Sequence, residues 1–235
     1  MAMDFHIGTS GYSYKEWKGT FYPGDLPADR MLGFYSGRFN AVEINNTFYR
    51  MPRSSVMEQW REQVPDPFRF VLKTPQRITH RKKLEDIGSD FNYFLETARV
   101  LGDRLGPLLV QLPPWQRKDI EKLRALLALV PRDIRVALEV RHASWVDEEV
   151  TGVLRDANVA LCVSDTEELE RPADIVDSAT WGYLRLRRCD YDETSLRAWL
   201  ERIRGYEWRD VWVFFKHEDE GRGPDFARDF ASLVS

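Results

Sequence analysis

The feature that most constrains the fold of this chain is a regular alternation of short apolar runs with longer amphipathic stretches. Eight runs of five or six residues are rich in β-branched and aromatic side chains, as buried strands are. They begin on average about 29 residues apart, close to the length of one strand–helix unit. The runs are 5–9, 41–45, 68–73, 108–112, 136–140, 159–164, 183–187 and 211–216. The pattern predicts parallel strands joined by helices.

Most stretches between these runs carry apolar side chains at the spacing of an amphipathic helix. Asp90 and Asp119 each precede such a stretch, in the position of a helix N-cap. Ser144 with Asp147 resembles a capping box at the start of another helix. Between residues 166 and 180 the pattern fails, because Arg171-Pro172 interrupts any helix there.

The repeated units predict an α/β fold, a single (β/α)₈ TIM-barrel domain covering residues 1–235. A doubly wound open sheet is the alternative. It would require a glycine-rich phosphate-binding turn after the first strand, and Gly8-Thr9-Ser10-Gly11 matches that turn only in part.

The composition and the first residues of the sequence indicate where in the cell the protein is expected. The apolar runs are strand-sized, far below the roughly 20 residues that a membrane helix needs, and Met1-Ala2-Met3-Asp4 lacks the layout of a signal peptide. Cys162 and Cys189 form neither a disulfide framework nor a zinc-binding spacing. Cys189 follows Arg187-Arg188, whose charge could activate its thiol. We expect a cytoplasmic protein with no membrane partner.

Polar side chains occupy the strand ends on the face that would line a barrel. Alternation along each strand turns these residues inward: Ser10, Glu43, Asn45, Lys73, Gln111, Glu139, Arg141, Arg185, Arg187 and Lys216. Five of them are cations and two are glutamates, whereas the whole chain has 34 Lys and Arg against 38 Asp and Glu, a net charge of −4. A basic interior in an acidic protein favours an anionic ligand. The alternative is a closed network of ion pairs that stabilises the fold.

Several motifs resemble one known family, in order and over essentially the whole chain. They are Gly8-Thr9-Ser10-Gly11-Tyr12, Trp17, Phe21-Tyr22-Pro23, Glu43-Ile44-Asn45-Asn46-Thr47-Phe48-Tyr49, Lys73-Thr74-Pro75, Ile78-Thr79-His80, Gln111-Leu112-Pro113-Pro114, Glu139-Val140-Arg141-His142 and Ser144-Trp145. This set resembles the domain-of-unknown-function-72 (DUF72, YecE-like) family. The resemblance implies a TIM barrel broadly like those of endonuclease IV and sugar isomerases, and it implies no particular activity.

Two positions depart from the family pattern. Many members have His-Gly where this chain has Arg187-Arg188, and many have Asn-Asn-His where it reads Phe215-Lys216-His217-Glu218. Both changes make the predicted site more basic. Five inward cations would also repel a divalent ion, so we expect no metal and no other cofactor.

The predicted function is binding of an anionic small molecule or nucleic-acid fragment, phosphate- or nucleotide-like, at the barrel mouth. The leading hypothesis is an enzyme that acts on this ligand, with phosphoester cleavage as the candidate reaction. Glu43 or Glu139 would be the catalytic base, and Lys73, Arg141, Arg185 and Lys216 would neutralise phosphate charge. Other expected substrate-binding residues are Ser10, Asn45, His80, Gln111, His142, Trp145, Arg187 and His217. The aromatic residues Trp17, Trp115 and Trp145 either stack on a ligand or pack the rim of the site.

Three other functions stay open at this point. One is a non-catalytic protein that binds a nucleotide or a nucleic-acid end. Another is a metal-dependent enzyme like endonuclease IV or a sugar isomerase, whose metal ligands would come from Glu43, Glu139, Asp165, His80, His142 and His217. Glycoside hydrolysis by Glu43 and Glu139 is disfavoured, because neighbouring cations would keep both carboxylates ionised.

Overall fold

The computed structural model describes residues 3–216 and 222–234. The strands are β1 (Asp4–Thr9), β2 (Ala41–Ile44), β3 (Arg69–Lys73), β4 (Leu105–Gln111), β5 (Val136–Glu139), β6 (Ala160–Leu161), β7 (Val163–Asp165), β8 (Gly182–Leu186) and β9 (Asp210–Phe215). The α-helices are α1 (Met31–Ser36), α2 (Asn46–Tyr49), α3 (Ser54–Gln63), α4 (Gly88–Ala98), α5 (Ile120–Ala128), α6 (Glu148–Asp156), α7 (Glu193–Arg204) and α8 (Arg222–Val234).

The strands form two open parallel sheets, so the predicted closed eight-stranded TIM barrel is wrong. One sheet has four strands in the order β1-β9-β8-β7, and the other has five in the order β2-β3-β4-β5-β6. All the strand pairs are parallel. The α/β class and all eight predicted strand regions are confirmed, but the continuous ladder that closes a barrel is absent from the described residues.

Side chains replace the backbone ladder between β1 and β2. The Asn40 amide donates to the Phe5 carbonyl and accepts from the Ile7 N–H, both at 2.8 Å. The Tyr35 hydroxyl accepts from the Thr9 N–H at 2.8 Å and donates to the Ala41 carbonyl at 3.1 Å. Strand backbone must find hydrogen-bond partners, and here it finds them without direct pairing, apart from a single bridge between Ser10 and Glu43.

The second interruption lies where the predicted strand 159–164 divides into β6 and β7. The first part pairs with β5 and the second with β8, and Cys162 stands between them. Ser178 fills the place of a neighbouring strand: its hydroxyl accepts from the Leu161 N–H at 2.7 Å and donates to the Val159 carbonyl at 3.0 Å. A single run of apolar residues therefore contributes one strand to each of the two sheets.

The helix signals predicted from the sequence are mostly correct. Asp119 caps α5 by accepting from the Lys122 N–H, whereas Asp90 lies inside α4 and does not cap it, so that part of the prediction is wrong. Asp147 caps α6, whereas Ser144 lies in a 3₁₀ turn and makes no capping box with it. No helix lies between β7 and β8, as the interruption at Arg171-Pro172 predicts. A membrane-crossing helix needs about 20 mostly apolar residues, and no helix within the described ranges meets that requirement.

Apolar side chains pack on both faces of the sheets. One face packs on the helices through residues such as Val42, Leu138 and Leu186. The other faces of the two sheets contact each other through Ala41, Val71, Leu109, Ala137, Ala160, Cys162, Trp181, Tyr183, Trp212 and Phe214. On several strands, a predicted inward polar residue comes two positions after one of these contact residues, as Glu43 comes after Ala41. These polar residues therefore lie at the carboxyl ends of the strands, above an apolar floor.

Candidate functional site

A buried ion cluster joins the two sheets at the carboxyl ends of their strands. The guanidinium of Arg185 on β8 is 2 % exposed, and Glu43 and Glu139 are fully buried. Arg185 Nη2 donates to Glu43 Oε1 at 2.9 Å, and its Nη1 donates to Glu139 Oε2 at 2.6 Å. One cation of one sheet thus pairs with two carboxylates of the other.

Every carboxylate oxygen of Glu43 has a described donor. Oε1 accepts from Ser10 Oγ at 2.8 Å and from Asn45 Nδ2 at 3.3 Å, in addition to Arg185. Oε2 accepts from the Tyr183 hydroxyl at 2.6 Å. Burial alone would raise the pKa of Glu43, but Arg185 and these donors lower it below its usual value. Glu43 is therefore an ionised carboxylate.

Glu139 is surrounded in the same way. Its Oε2 accepts from Gln111 Nε2 at 2.8 Å as well as from Arg185, and its Oε1 accepts from Arg141 Nε at 3.2 Å. Burial again opposes ionisation, yet the Arg185 and Arg141 guanidiniums lower the pKa of Glu139 to about 2. A carboxylate so weakly basic, with both oxygens occupied, holds arginines in place. A catalytic role for Glu43 or Glu139 stays a prediction that this geometry does not favour.

Lys73, at the end of β3, has no carboxylate partner among the described residues, unlike Arg141 and Arg185. Its side chain is 9 % exposed, and its ammonium lies 4.0 Å from the centre of the Phe48 ring. The ammonium makes neither a hydrogen bond nor an ion pair to any residue in 3–216 or 222–234. Burial and the neighbouring Arg185 lower the pKa of Lys73 to about 8. The ammonium therefore packs against an aromatic face, and other positively charged side chains lie nearby.

Arg187, just past β8, is a second cation without a described carboxylate partner. Its side chain is half-buried, and its Nε atom is buried with no hydrogen-bond partner among the described residues. Burial and the Arg185 charge lower its pKa. Four further buried polar atoms at the carboxyl ends of the strands have no described partner: Asn45 Oδ1, Thr74 Oγ1, Asp165 Oδ1 and Arg185 Nε. Such atoms concentrate where a ligand or solvent completes the hydrogen bonding.

His80 contacts the same aromatic ring as Lys73. It lies in a π-helical turn, Arg77–Arg81, with its ring centre 4.9 Å from that of Phe48 in an edge-on arrangement. Its Nδ1 is 2.8 Å from the Thr79 hydroxyl. Burial, Lys73 and Arg141 all lower the pKa of His80, so the imidazole is neutral at neutral pH. The structure thus brings Lys73, His80 and Phe48 together.

The other predicted site residues have varied surroundings. His142 caps its own 3₁₀ turn through Ser144. Trp145 is fully buried and its indole N–H donates to the Gln116 carbonyl at 2.8 Å, so it packs the core and does not present a ring to a ligand. Trp17 is buried as well, whereas Trp115 is 55 % exposed. The Lys216 N–H pairs with the Leu186 carbonyl. His217 lies outside the described residues.

Sequence reasoning missed Tyr183 as a member of the strand-end network, and it named Asp165 only as a candidate metal ligand. Tyr183 lies two positions before Arg185, and this spacing on an inward face could have revealed it. Asp165 is buried at the end of β7 and accepts from the Tyr191 hydroxyl at 2.7 Å and from Arg188 Nε at 3.0 Å. Among the described side chains, no hydrogen bond or ion pair joins that triad to the Glu43–Arg185–Glu139 cluster. Arg188, adjacent to Arg187, is therefore already paired.

Two other predicted features have clear structural outcomes. Cys189 is exposed, and a hydrogen bond to Glu167 raises the pKa of its thiol, so activation by neighbouring arginines is wrong. Within 3–216 and 222–234, no group of three or more His, Cys, Asp and Glu side chains is arranged to hold a metal ion. The expectation of a metal-free protein stays a prediction.

A cavity of about 770 Å³ lies at the opposite, amino ends of the strands. His6 and Trp212 line it, with ring centres 3.9 Å apart, and burial lowers the pKa of His6 to about 4. Arg135 pairs there with Asp210 at 2.5 Å, and exposed Arg209 lies on the rim. Acidic and basic side chains both line this cavity, unlike the cation-rich carboxyl ends.

Comparison with known proteins identifies the family. Residues 6–235 match the family described as "Protein of unknown function DUF72". The chain belongs to the DUF72 family. It is 35 % identical over 112 residues to the UPF0759 protein YecE of Escherichia coli strain K12, a match covering 47 % of this chain and 41 % of YecE. It is 24 % identical over 230 residues to the UPF0759 protein YunF of Bacillus subtilis strain 168, covering 92 % and 79 %.

Solved DUF72 structures share the fold. A DUF72 family protein from Thermotoga maritima MSB8 superposes with a TM-score of 0.84 at 25 % identity, covering 98 % of this chain and 99 % of that one. A DUF72 family protein from Enterococcus faecalis V583 gives a TM-score of 0.77 at 17 % identity, covering 99 % and 98 %. These likenesses extend over nearly the whole chain and establish the DUF72 architecture, whose activity the family description leaves open.

Proposed function

We propose that this DUF72 protein binds a small phosphate-bearing anion at the carboxyl ends of its strands. The observation that carries the proposal is that Lys73 and Arg187, both largely withdrawn from solvent, have no carboxylate partner among the described residues. Withdrawing a cation from water is costly unless an opposite charge compensates it. A bound phosphate would provide that charge.

The distribution of charge supports an anion over a cation or a neutral ligand. Arg185 is shared by Glu43 and Glu139, and Arg141 further offsets Glu139. Lys73 and Arg187 are then left over as a positive surplus. Their depressed pKa values have the same origin, since each loses hydration and faces other cations. An anion bound at these strand ends would offset that surplus and form charge-assisted hydrogen bonds.

Phosphoester cleavage at this site would need a proton acceptor, and Glu43 and Glu139 are poor choices. His80 is better suited, because its imidazole is neutral at neutral pH and contacts the ring beside Lys73. Turnover of a phosphorylated compound that is lost in a His80→Gln variant would favour an enzyme. Binding without product would favour the non-catalytic alternative.

The test is thermal unfolding with and without inorganic phosphate at constant ionic strength. A ligand that binds the folded state stabilises it by mass action, about 2.7 kcal/mol at one hundred times Kd. We expect phosphate to raise the Tm of the wild type and to raise that of Arg187→Gln and Lys73→Met far less.

Arg209→Gln is the matched control, because Arg209 is an exposed arginine on the cavity at the opposite ends of the strands. It should keep the full phosphate effect. If Arg209→Gln loses the effect while Arg187→Gln keeps it, the anion binds at the wrong end and the proposal fails. An unchanged wild-type Tm in phosphate would contradict it equally.

A further inference from the structure

We propose that Lys73 forms an imine with the carbonyl carbon of a small phosphorylated aldehyde or ketone bound at this site. The inference rests on the proposed function, since the phosphate of the same molecule would occupy the anion site. It adds a reaction and a substrate class to what would otherwise be an anion-binding site.

The surroundings of Lys73 are those of a nucleophile rather than of a structural cation. Lysines with structural roles in this chain pair with carboxylates, as Lys118 does with Glu149 at 2.9 Å. Lys73 instead points its nitrogen at the Phe48 ring, with no described acceptor to hold its protons. Yet the residue keeps 9 % exposure at the strand end, so it is not completely sealed into the core.

Neighbouring charges favour the reactive form of this amine. A lysine nucleophile attacks as the neutral amine, and desolvation or an adjacent cation is the usual means of producing it. Both act here: the side chain is buried, and the Arg185 charge repels its proton. With a pKa of about 8, about a tenth of the Lys73 side chains are neutral at pH 7.

A carbonyl compound is the substrate class that fits an isolated amine. The neutral nitrogen adds to the carbonyl carbon, and a proton moves from nitrogen to oxygen to give a carbinolamine. Loss of that oxygen as water, with one further proton, forms the C=N bond. The sum is amine plus carbonyl giving imine plus water, and it needs no oxidant, reductant or metal. His80, neutral and in contact with the same Phe48 ring, is placed to relay the proton.

The charge around the site selects a phosphorylated carbonyl compound. Arg187 follows β8 and Arg141 follows β5, and both arginines bring positive charge to the carboxyl ends of the strands, where Lys73 lies. A phosphate held by these guanidiniums would keep the carbonyl carbon of a short molecule close to the Lys73 nitrogen. The limited exposure of Lys73 favours short molecules over nucleotides.

The experiment is reductive trapping on the full chain. The protein is incubated with glycolaldehyde phosphate, or with glycolaldehyde as the unphosphorylated counterpart, and then treated with sodium borohydride, which reduces an imine to a stable secondary amine. Intact and fragment mass spectrometry then locate the adduct. We expect one adduct per chain at Lys73 with the phosphorylated aldehyde. Glycolaldehyde should label it at least about tenfold less, because the charge-assisted contacts to phosphate are missing.

Two variants make the result decisive. Lys73→Arg keeps a positive charge but removes the nucleophile, so it should lose the adduct and still respond to inorganic phosphate. Lys83→Arg is the matched control, since Lys83 also lies over an aromatic ring, Trp115, but is exposed. It should be labelled at Lys73 as the wild type is.

The outcomes separate the two proposals. If wild-type Lys73 is not trapped while phosphate still raises the Tm, the imine is refuted and the proposed anion site stands. If both aldehydes label Lys73 equally and phosphate has no effect on the Tm, the anion site is refuted, and the phosphorylated substrate class with it. Adducts that persist in Lys73→Arg would overturn the assignment of the nucleophile.

Discussion

At the scale of single residues, burial of the Lys73 charge destabilises the folded state, and replacing this residue should remove that destabilisation. The unfolded chain holds the Lys73 proton up to the usual pKa of 10.5, whereas the folded chain releases it near pH 8. The folded state is therefore penalised below pH 8, by about 3 kcal/mol, and the penalty fades as the pH rises toward 10.5. A residue retained at such a cost is expected where function needs it.

We expect Lys73→Met to be more stable than the wild type at pH 7, by about 1–3 kcal/mol. Methionine fills a similar volume without a charge to desolvate. The gain should shrink markedly at pH 10, where the wild-type side chain is already neutral in the folded state. Urea unfolding at the two pH values measures this. A variant that is less stable at pH 7, or equally stabilised at both values, would show that the ammonium is compensated.

The sequence was sufficient to place the inward residues but not to pair them. Alternation along each strand correctly turned Glu43, Lys73, Glu139 and Arg185 to one side. It could not show that Arg185 binds both glutamates, because these contacts join residues 142 and 46 positions apart. The same limit hid the saturation of both carboxylates, and hence made them look like catalytic bases.

At the scale of elements, the two interruptions of the sheets depend on particular side chains. The Tyr35 hydroxyl is fully buried and contacts β1 at Thr9 and β2 at Ala41. Gly8 adds a steric reason for the side-chain bridging: a Cβ atom there would lie 1.9 Å from the Ala41 carbonyl oxygen. At this point the backbones approach closely without forming a regular ladder, and the tyrosine satisfies polar groups that the ladder would otherwise pair.

Tyr35→Phe should therefore destabilise the fold by about 1–3 kcal/mol, the cost of leaving buried polar groups without a partner. Tyr93→Phe is the control, because Tyr93 is 61 % exposed, and its loss should stay within about 0.5 kcal/mol. Urea unfolding of both variants provides the comparison. If Tyr35→Phe were as stable as the wild type, the Thr9 N–H and the Ala41 carbonyl would find other hydrogen-bond partners, from the backbone or from water, without the hydroxyl.

The barrel prediction failed at this same scale, and for a physical reason. The repeat length of about 29 residues reports that strands and helices alternate. It does not report whether neighbouring strands pair along their whole length. That depends on Asn40 and Tyr35 at one interruption and on Ser178 at the other. These residues lie outside the strands, where strand periodicity carries no information.

At the scale of the whole molecule, the Glu43–Arg185–Glu139 cluster is an electrostatic link between the two sheets. Glu43 and Glu139 belong to the five-stranded sheet and Arg185 to the four-stranded sheet. The folded-state pKa of Glu139 is about 2, below its usual 4.5. Its ionisation therefore stabilises the fold above pH 4.5, and this contribution is lost as the pH falls from 4.5 toward 2. The lowered pKa of Glu43 acts in the same direction.

Glu139→Gln should cost about 3–5 kcal/mol at neutral pH, since it removes one of the two charges that compensate a buried guanidinium. Its stability should then fall less steeply than that of the wild type between pH 4.5 and pH 2, because one of the titrating groups is gone. Glu149→Gln is the matched control: Glu149 pairs with Lys118 at the surface and is 54 % exposed, so its loss should cost less than about 1 kcal/mol. Urea unfolding across this pH range tests both variants. If Glu139→Gln proved as stable as the wild type, the carboxylate would not be needed to hold the sheets together, and a catalytic role for it would regain support.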